Sequence, residues 1–140
     1  MANPASKQPG SSAATRTAAV ILLVLVAAAG LASKFYRGPA ADWVNNSLGG
    51  VFYVVFWCLL AFLLLPRARP CLIACTVLVI TCLLEFLQSW HPAWLEQLRS
   101  SFLGAALLGT SFAWSDFPYY FLGCGLGWYW MRRPSRTRVP

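Results

Sequence analysis

Charged residues, and acidic ones above all, are scarce in this sequence. It has 4 Asp and Glu against 11 Lys and Arg, and charged residues make up only 11% of the chain. Soluble domains contain about 25% charged residues, so the composition argues against a water-soluble globular protein. The chain is 59% hydrophobic and carries seven Trp, nine Phe and five Tyr. That is more apolar surface than a core of this size can bury, and it indicates a membrane protein in contact with the lipid bilayer.

Sequence signatures of metal, redox and nucleic-acid chemistry are also missing. There is one His, and the cysteines form no C-x-x-C pair, so zinc and thioredoxin-like sites are disfavoured. The five cysteines all lie in apolar runs, where Cys is a common small buried residue. We therefore predict packing roles over redox or metal roles, no metal site and no cofactor. No basic patch interleaved with aromatic residues explains the net charge of +7, so we predict no nucleic-acid partner.

Four apolar segments have the length and flanks of membrane spans. We place them at residues 18–33, 49–65, 71–88 and 116–131, each of which approaches the thickness of a bilayer core when helical. Residues 102–114 are apolar but too short to span, so we predict an interfacial or re-entrant helix at residues 101–113. The predicted fold is all-α, with a transmembrane domain at residues 17–131, a disordered tail at 1–16 and a basic tail at 132–140. A cleaved signal peptide is the competing interpretation of the first segment.

Turn and capping residues precede two of the predicted spans. Asn45-Asn46-Ser47 predicts a turn and an N-cap before the second span, and Ser115 or Asp116 is suited to cap the fourth. Gly123-x-x-x-Gly127 permits close approach of another helix, and packing within the chain is favoured over dimerisation.

The basic residues fall mostly on one side of the predicted topology. With four spans, one side holds eight cations and no acids: Lys7, Arg16, Arg67, Arg69, Arg132, Arg133, Arg136 and Arg138. The other side holds Lys34, Arg37 and Arg99, offset by Asp42, Glu96 and Asp116. Cytoplasmic loops carry the excess of Lys and Arg. The sequence therefore predicts a multi-pass protein of the inner (plasma) membrane with both termini in the cytoplasm.

Glu85 is the one acid inside an apolar run. A charge at mid-bilayer costs about 2.5–3.5 kcal/mol on insertion scales, so this carboxylate needs a partner or a use. With Thr81 and Gln88 it forms one stripe of the third span. Two interpretations stay open: Glu85 pairs with Lys34, Arg37 or Arg99, or it is a functional carboxylate.

The remaining candidate residues cluster with Glu85 at the predicted non-cytoplasmic end. His91 either terminates a helix or acts as a base, Asp116 is first a helix cap, and Arg99 is either solvated or bound to lipid phosphate. The predicted polar cluster consists of Glu85, Gln88, Arg99, Asp116, Arg37, Lys34 and His91.

Several stretches resemble a family of small bacterial membrane proteins known only as a domain of unknown function. They are residues 34–39, 42–50, 56–58, 84–92 and 116–120, and the likeness extends over residues 18–131. The resemblance implies an inner-membrane location and no assigned activity.

A more distant likeness is to the VanZ-like family, which is tied to teicoplanin resistance. Glu85-x-x-Gln88, Asp116 and Gly123 match its pattern, whereas Tyr120 stands where that family has Asn. Thr110 and Ala113 replace an Arg and an acid of the pattern. This likeness implies contact with an envelope lipid or glycolipid.

Three functions follow as hypotheses. The first is a non-enzymatic protein whose Lys34, Arg37 and Arg99 hold the phosphate of an anionic or lipid-linked headgroup. The second is a membrane enzyme with Glu85 or His91 as general base, which we favour less because no nucleophile–base pair is evident. The third is an accessory subunit bound to a membrane-protein partner, or a small transporter.

Overall fold

The computed structural model describes residues 13–133, and this part of the chain is all α-helical. It contains six helices: α1 (Ala13–Phe35), α2 (Ala41–Leu64), α3 (Pro70–Leu87), α4 (Ala93–Arg99), α5 (Phe102–Leu108) and α6 (Phe117–Arg132). The predicted all-α class is confirmed. Three helices, α1, α2 and α3, are long and apolar enough to cross a membrane, whereas α6 has 16 residues.

The predicted tails fall largely outside the described residues. Residues 1–12 and 134–140, which include Lys7, Arg136 and Arg138, belong to that part of the chain. Residues 13–16 were assigned to the disordered tail, but they form the first turn of α1. The Arg16 guanidinium donates to the Leu63 carbonyl over 3.5 Å, so the start of α1 lies beside the end of α2.

The long helices alternate in direction, and the short ones gather at one end. α1 runs antiparallel to α2, since Gly30 lies against Phe52 and Ser33 against Gly49. α6 packs on both α2 and α3. All four acids of the chain, Asp42, Glu85, Glu96 and Asp116, sit at or near the end where α1 and α3 finish and α2 and α6 begin. Five of the seven described arginines lie at the opposite end, namely Arg16, Arg67, Arg69, Arg132 and Arg133.

The glycines of α6 bring it close to α2. A Cβ on Gly123 would lie 3.0 Å from the Val51 carbonyl oxygen, and one on Gly127 would lie 2.8 Å from the Cβ of Cys58. A side chain at Gly127 would require its neighbours to move, and one at Gly123 would be unusually tight. The Gly123-x-x-x-Gly127 motif therefore serves packing inside the protein, around a core that includes Val54, Val77 and Cys124.

The start of α2 differs from the predicted turn. The helix begins at Ala41, ahead of the predicted start at residue 49, and passes through Asn45-Asn46-Ser47 as a π-helical stretch, Val44–Leu48. A π-helical turn takes in an extra residue without breaking the helix, and such turns are frequent at functional sites. The chain reverses before α2 at Ala40, whose φ is 58°.

The end of α3 is closed by a buried arginine. Arg99 is 5% exposed, and its guanidinium donates to the carbonyls of Leu87 and Trp90 at 2.9 and 3.0 Å. The final carbonyls of a helix have no partner within the helix, and a cation near this end also suits the helix dipole. Arg99 thus fixes α4 against the end of α3.

The predicted helix at residues 101–113 is shorter in the structure. α5 covers Phe102–Leu108, and Ser101 caps it by accepting from the backbone N–H of Gly104 at 3.0 Å. Gly109 ends it with a φ of 70°, in the left-handed region that glycine adopts without strain. From Gly109 to Ala113 the chain is not helical.

Candidate functional site: a polar cavity beside Glu85

A cavity of about 390 Å³ opens among the end of α1, the start of α2, the end of α3, α5 with the segment that follows it, and the start of α6. Its volume lies within the usual range for small-molecule sites. Its polar lining includes Lys34, Asp42, Asn46, Gln88, Asp116 and Tyr120. Asn46 and Ser47 reach it from the π-helical stretch of α2, so this irregular turn contributes directly to the cavity wall.

Glu85 lies behind this wall, 1% exposed. Its Oε2 accepts from the Tyr120 hydroxyl at 2.5 Å and from the Gln88 amide at 3.1 Å. Its Oε1 accepts from the backbone N–H of Ala113 at 2.8 Å. Within residues 13–133 Glu85 forms no ion pair, so three neutral donors stabilise the buried carboxyl group, as burial of such a group requires. These bonds join α3, α6 and the segment after α5.

α5 and the segment after it are held as a wall of the cavity by three contacts. Ala113 donates to Glu85, the Tyr53 hydroxyl donates to the Leu107 carbonyl at 2.8 Å, and Gly109 packs against Gln88. A Cβ on Gly109 would lie 2.4 Å from the Gln88 amide. Because Gly109 has no side chain, Gln88 has room to donate to Glu85 and also to line the cavity.

The charged groups around the cavity do not neutralise each other directly. Lys34, Asp42 and Asp116 line it, yet none of them forms an ion pair with a described residue. Burial is the main cause of a raised pKa at Asp116, and the neighbouring Glu85 raises this pKa further, whereas the positive charge of Lys34 lowers it. The cavity thus has one cation, two carboxyl groups and a third carboxyl group behind its wall.

The structure brings together part of the predicted polar cluster. Lys34, Gln88 and Asp116 line the cavity, and Glu85 is bonded to Gln88. Thr81, of the same stripe, also lines it and donates to the Val77 carbonyl at 2.8 Å. Asp116 stands before α6, but its side chain forms no capping bond.

Three predicted residues, Arg37, His91 and Arg99, do not line the cavity. His91 Nδ1 lies 2.9 Å from Glu96 Oε1, and Arg99 donates to the same oxygen at 2.9 Å. Both bonds lower the pKa of Glu96, and the bond with His91 has the larger effect. His91, Glu96 and Arg99 therefore form a separate cluster that joins α4 to the end of α3.

Sequence reasoning missed Tyr120 as the partner of Glu85 and did not select Asp42 or Tyr53. One signal was available for Tyr120: it shares a helix face with Gly123, Cys124 and Gly127 at spacings of three and four residues. No short-range pattern connects Asp42 or Tyr53 with the cavity, because their place in its lining arises from how α2 packs. No group of His, Cys, Asp and Glu suited to a metal occurs among the described residues.

Comparison with protein families gives one match. The model of the family DUF2809, described as a protein of unknown function, matches residues 39–124. The chain belongs to this family. The predicted resemblance to a domain of unknown function is confirmed at this level. The DUF2809 match includes Asp42, Glu85, Asp116 and Tyr120, whereas Lys34 precedes it. No solved structure matches the chain.

Proposed function

We propose that this DUF2809 protein binds the polar headgroup of a membrane lipid in the cavity beside Glu85, without catalysing a reaction. The observation that carries the proposal is that apolar residues at the rim of the cavity are exposed. Leu107 and Trp43 line the cavity, and their side chains are 46% and 48% exposed, respectively. A polar cavity therefore continues into an exposed apolar surface, which is the arrangement a molecule with a polar head and apolar chains requires.

The surface beyond the rim fits acyl chains. Phe102 and Leu103 on α5 and Leu98 on α4 are all more than half exposed. Contiguous exposed apolar surface marks membrane or ligand contact, and α5 carries this surface next to the wall residues Ala105 and Leu107. A lipid seated here would place its chains along α5 and its headgroup beside Gln88.

The proposed placement in the membrane has four spans. α6 rises about 24 Å over its 16 residues and packs beside the two apolar helices α2 and α3. The arginines at the end opposite the cavity favour a cytoplasmic position for that end. We therefore propose that the protein resides in the inner (plasma) membrane and that the cavity faces away from the cytoplasm.

The geometry supports binding better than catalysis. The sequence suggests Glu85 and His91 as candidate bases and Arg99 as a phosphate ligand. Glu85 is held by three hydrogen bonds within the protein, and Arg99 and His91 both bond Glu96 away from the cavity. A general base must reach the proton that it removes, and these contacts hold Glu85, His91 and Arg99 to other groups of the protein.

Native mass spectrometry tests the proposal. The protein is purified in mild detergent, and bound lipid is counted for the wild type and for Thr110→Trp, which fills the cavity from an exposed position on its wall. Gln97→Trp, on the exposed part of α4, is the matched control. We expect retained lipid in the wild type and in the control, and its loss in Thr110→Trp at an unchanged unfolding temperature.

The opposite results decide against the proposal. A wild type that retains no lipid, or a Thr110→Trp protein that retains as much as the control, would show that the cavity is not a headgroup site. The alternative from the sequence is an accessory subunit. A protein present in the same spectra at fixed stoichiometry would favour that alternative.

A further inference from the structure

The charges around the cavity indicate the class of headgroup it takes. The Lys34 side chain lies beside Gly49, since a Cβ added to Gly49 would be 3.8 Å from the Lys34 Nζ. Asp42 precedes the π-helical stretch, and Asp116 precedes α6. Groups of opposite sign that face one cavity without an ion pair leave each group able to bind a ligand atom of the other sign.

A purely anionic headgroup fits this arrangement poorly. The lining of the cavity contains one cation, Lys34, and two carboxyl groups, and Glu85 adds a third carboxyl group behind Gln88. Arg37 and Arg99, which the sequence suggested as further phosphate ligands, are not part of the lining. Complementary charge favours a partner, whereas like charges placed together disfavour it. One cation with two acids therefore suits a ligand that carries a positive group as well as a phosphate.

We propose that the cavity binds a zwitterionic headgroup in which a phosphate is joined by a short chain to a primary ammonium, with Lys34 as the ligand of the phosphate and the lining acids Asp42 and Asp116 as ligands of the ammonium. This inference rests on the proposed headgroup-binding function. A primary ammonium has three N–H donors for carboxylate oxygens. A quaternary ammonium has none and is recognised by aromatic cages instead. The acids thus favour the primary amine.

A competition experiment tests the inference. The purified protein is exchanged into nanodiscs that contain equal amounts of phosphatidylethanolamine, phosphatidylcholine and phosphatidylglycerol with the same acyl chains. The protein is then released into detergent, and native mass spectrometry identifies and quantifies the lipid that remains bound. We expect at least about tenfold enrichment of phosphatidylethanolamine, equivalent to ~1.4 kcal/mol. A parallel arm adds soluble O-phosphoethanolamine as competitor, which distinguishes a lipid from a free source of the same chemistry.

Charge variants assign the two halves of the ligand. Asp42→Asn combined with Asp116→Asn is expected to abolish the preference over phosphatidylglycerol, with Glu96→Gln as the control outside the cavity. Lys34→Gln is expected to weaken binding of both phospholipids, with the exposed Arg37→Gln as its control.

Each outcome separates the two proposals. Equal binding of the three lipids, or enrichment of phosphatidylglycerol that still needs Lys34, would overturn the zwitterionic inference and leave headgroup binding intact. No bound lipid in the wild type would overturn both. Displacement of phosphatidylethanolamine by equimolar O-phosphoethanolamine would keep the ligand chemistry and overturn the lipid as its source.

Discussion

The Tyr120 hydroxyl donates to Glu85 Oε2 at 2.5 Å and so joins α6 to α3. Both residues are buried. Glu85 is the acid that the sequence places within an apolar helix, and its closest partner comes from a helix that begins more than thirty residues later. This contact fixes the position of the Glu85 carboxyl group. The same group accepts from Gln88 and from the backbone N–H of Ala113, in the segment after α5.

Removal of the Tyr120 hydroxyl should destabilise the protein. Tyr120→Phe leaves Glu85 with one donor fewer, and a buried polar group that loses a hydrogen-bond partner costs about 1–3 kcal/mol. We expect a clear fall in the thermal unfolding temperature in detergent, followed by the fluorescence of the seven Trp. Tyr36→Phe, at an exposed hydroxyl, is the control and should change little.

A double-mutant cycle with Glu85→Gln isolates the Tyr120 contact from other effects of the substitutions. The two changes should be less than additive, because each one weakens or removes the same bond, which cannot be lost twice. Strict additivity would mean that Tyr120 and Glu85 do not interact in the membrane protein in solution.

Arg99→Lys should destabilise the protein far more than Arg37→Lys. The planar guanidinium of Arg99 bonds two carbonyls at the end of α3 and Glu96, a geometry that a single ammonium does not reproduce. A buried carbonyl left without a partner costs about 1–3 kcal/mol. The exposed Arg37 should tolerate Lys within about 0.5 kcal/mol. Equal unfolding temperatures for the two variants would exclude the helix-closing role of Arg99.

Two glycines of α6 should respond to alanine with opposite signs. Gly127→Ala places a Cβ 2.8 Å from that of Cys58, and overpacking of this kind costs about 1–3 kcal/mol. Gly125 has nothing within 4 Å, so Gly125→Ala should stabilise the helix by up to about 1 kcal/mol. Unfolding temperatures of the pair test this. A stabilised Gly127→Ala would show that α2 and α6 are farther apart than described here.

The bonds of Glu96 predict a dependence of stability on acid pH. His91 and Arg99 lower its pKa from the usual 4.5, so its contribution is present above pH 4.5 and is lost as the pH falls through the lower folded-state value. The difference in unfolding temperature between wild type and Glu96→Gln should therefore shrink as the pH falls below 4.5. In a His91→Gln background, which removes one of the two bonds to Glu96, this decrease should begin at a higher pH. A difference that grows in acid would contradict the assignment.

Reporter fusions test the proposed four spans. With α6 crossing the membrane and the arginine-rich end inside, green fluorescent protein fused to the C-terminus should fluoresce, and alkaline phosphatase at the same position should be inactive. Three spans with the same orientation of α1 would reverse both readings. The two reporters thus distinguish the proposed topology from the alternative with a peripheral α6.

The fold class followed from the sequence because it depends on short-range patterns. Long apolar runs bounded by Pro66, Pro70 and charged residues predict helices, and α1, α2 and α3 have that character. Boundaries were less accurate where local rules conflict. Asn45-Asn46-Ser47 has the composition of a turn, yet the helix continues through it as a π-helical stretch, since packing of α2 against α1 and α6 outweighs weak local preferences.

The sequence by itself determined that this is an all-helical chain with apolar helices, one buried acid and its acidic residues gathered toward one end, because residue type and spacing along the chain decide these properties. Only the tertiary structure decided what the acid touches. Glu85 accepts hydrogen bonds from Tyr120, Gln88 and Ala113. Asp42 and Asp116 line the same cavity, and Arg99 donates to a carbonyl at the end of α3. These contacts join residues far apart in the chain, and the register between packed helices, which no local pattern encodes, sets them.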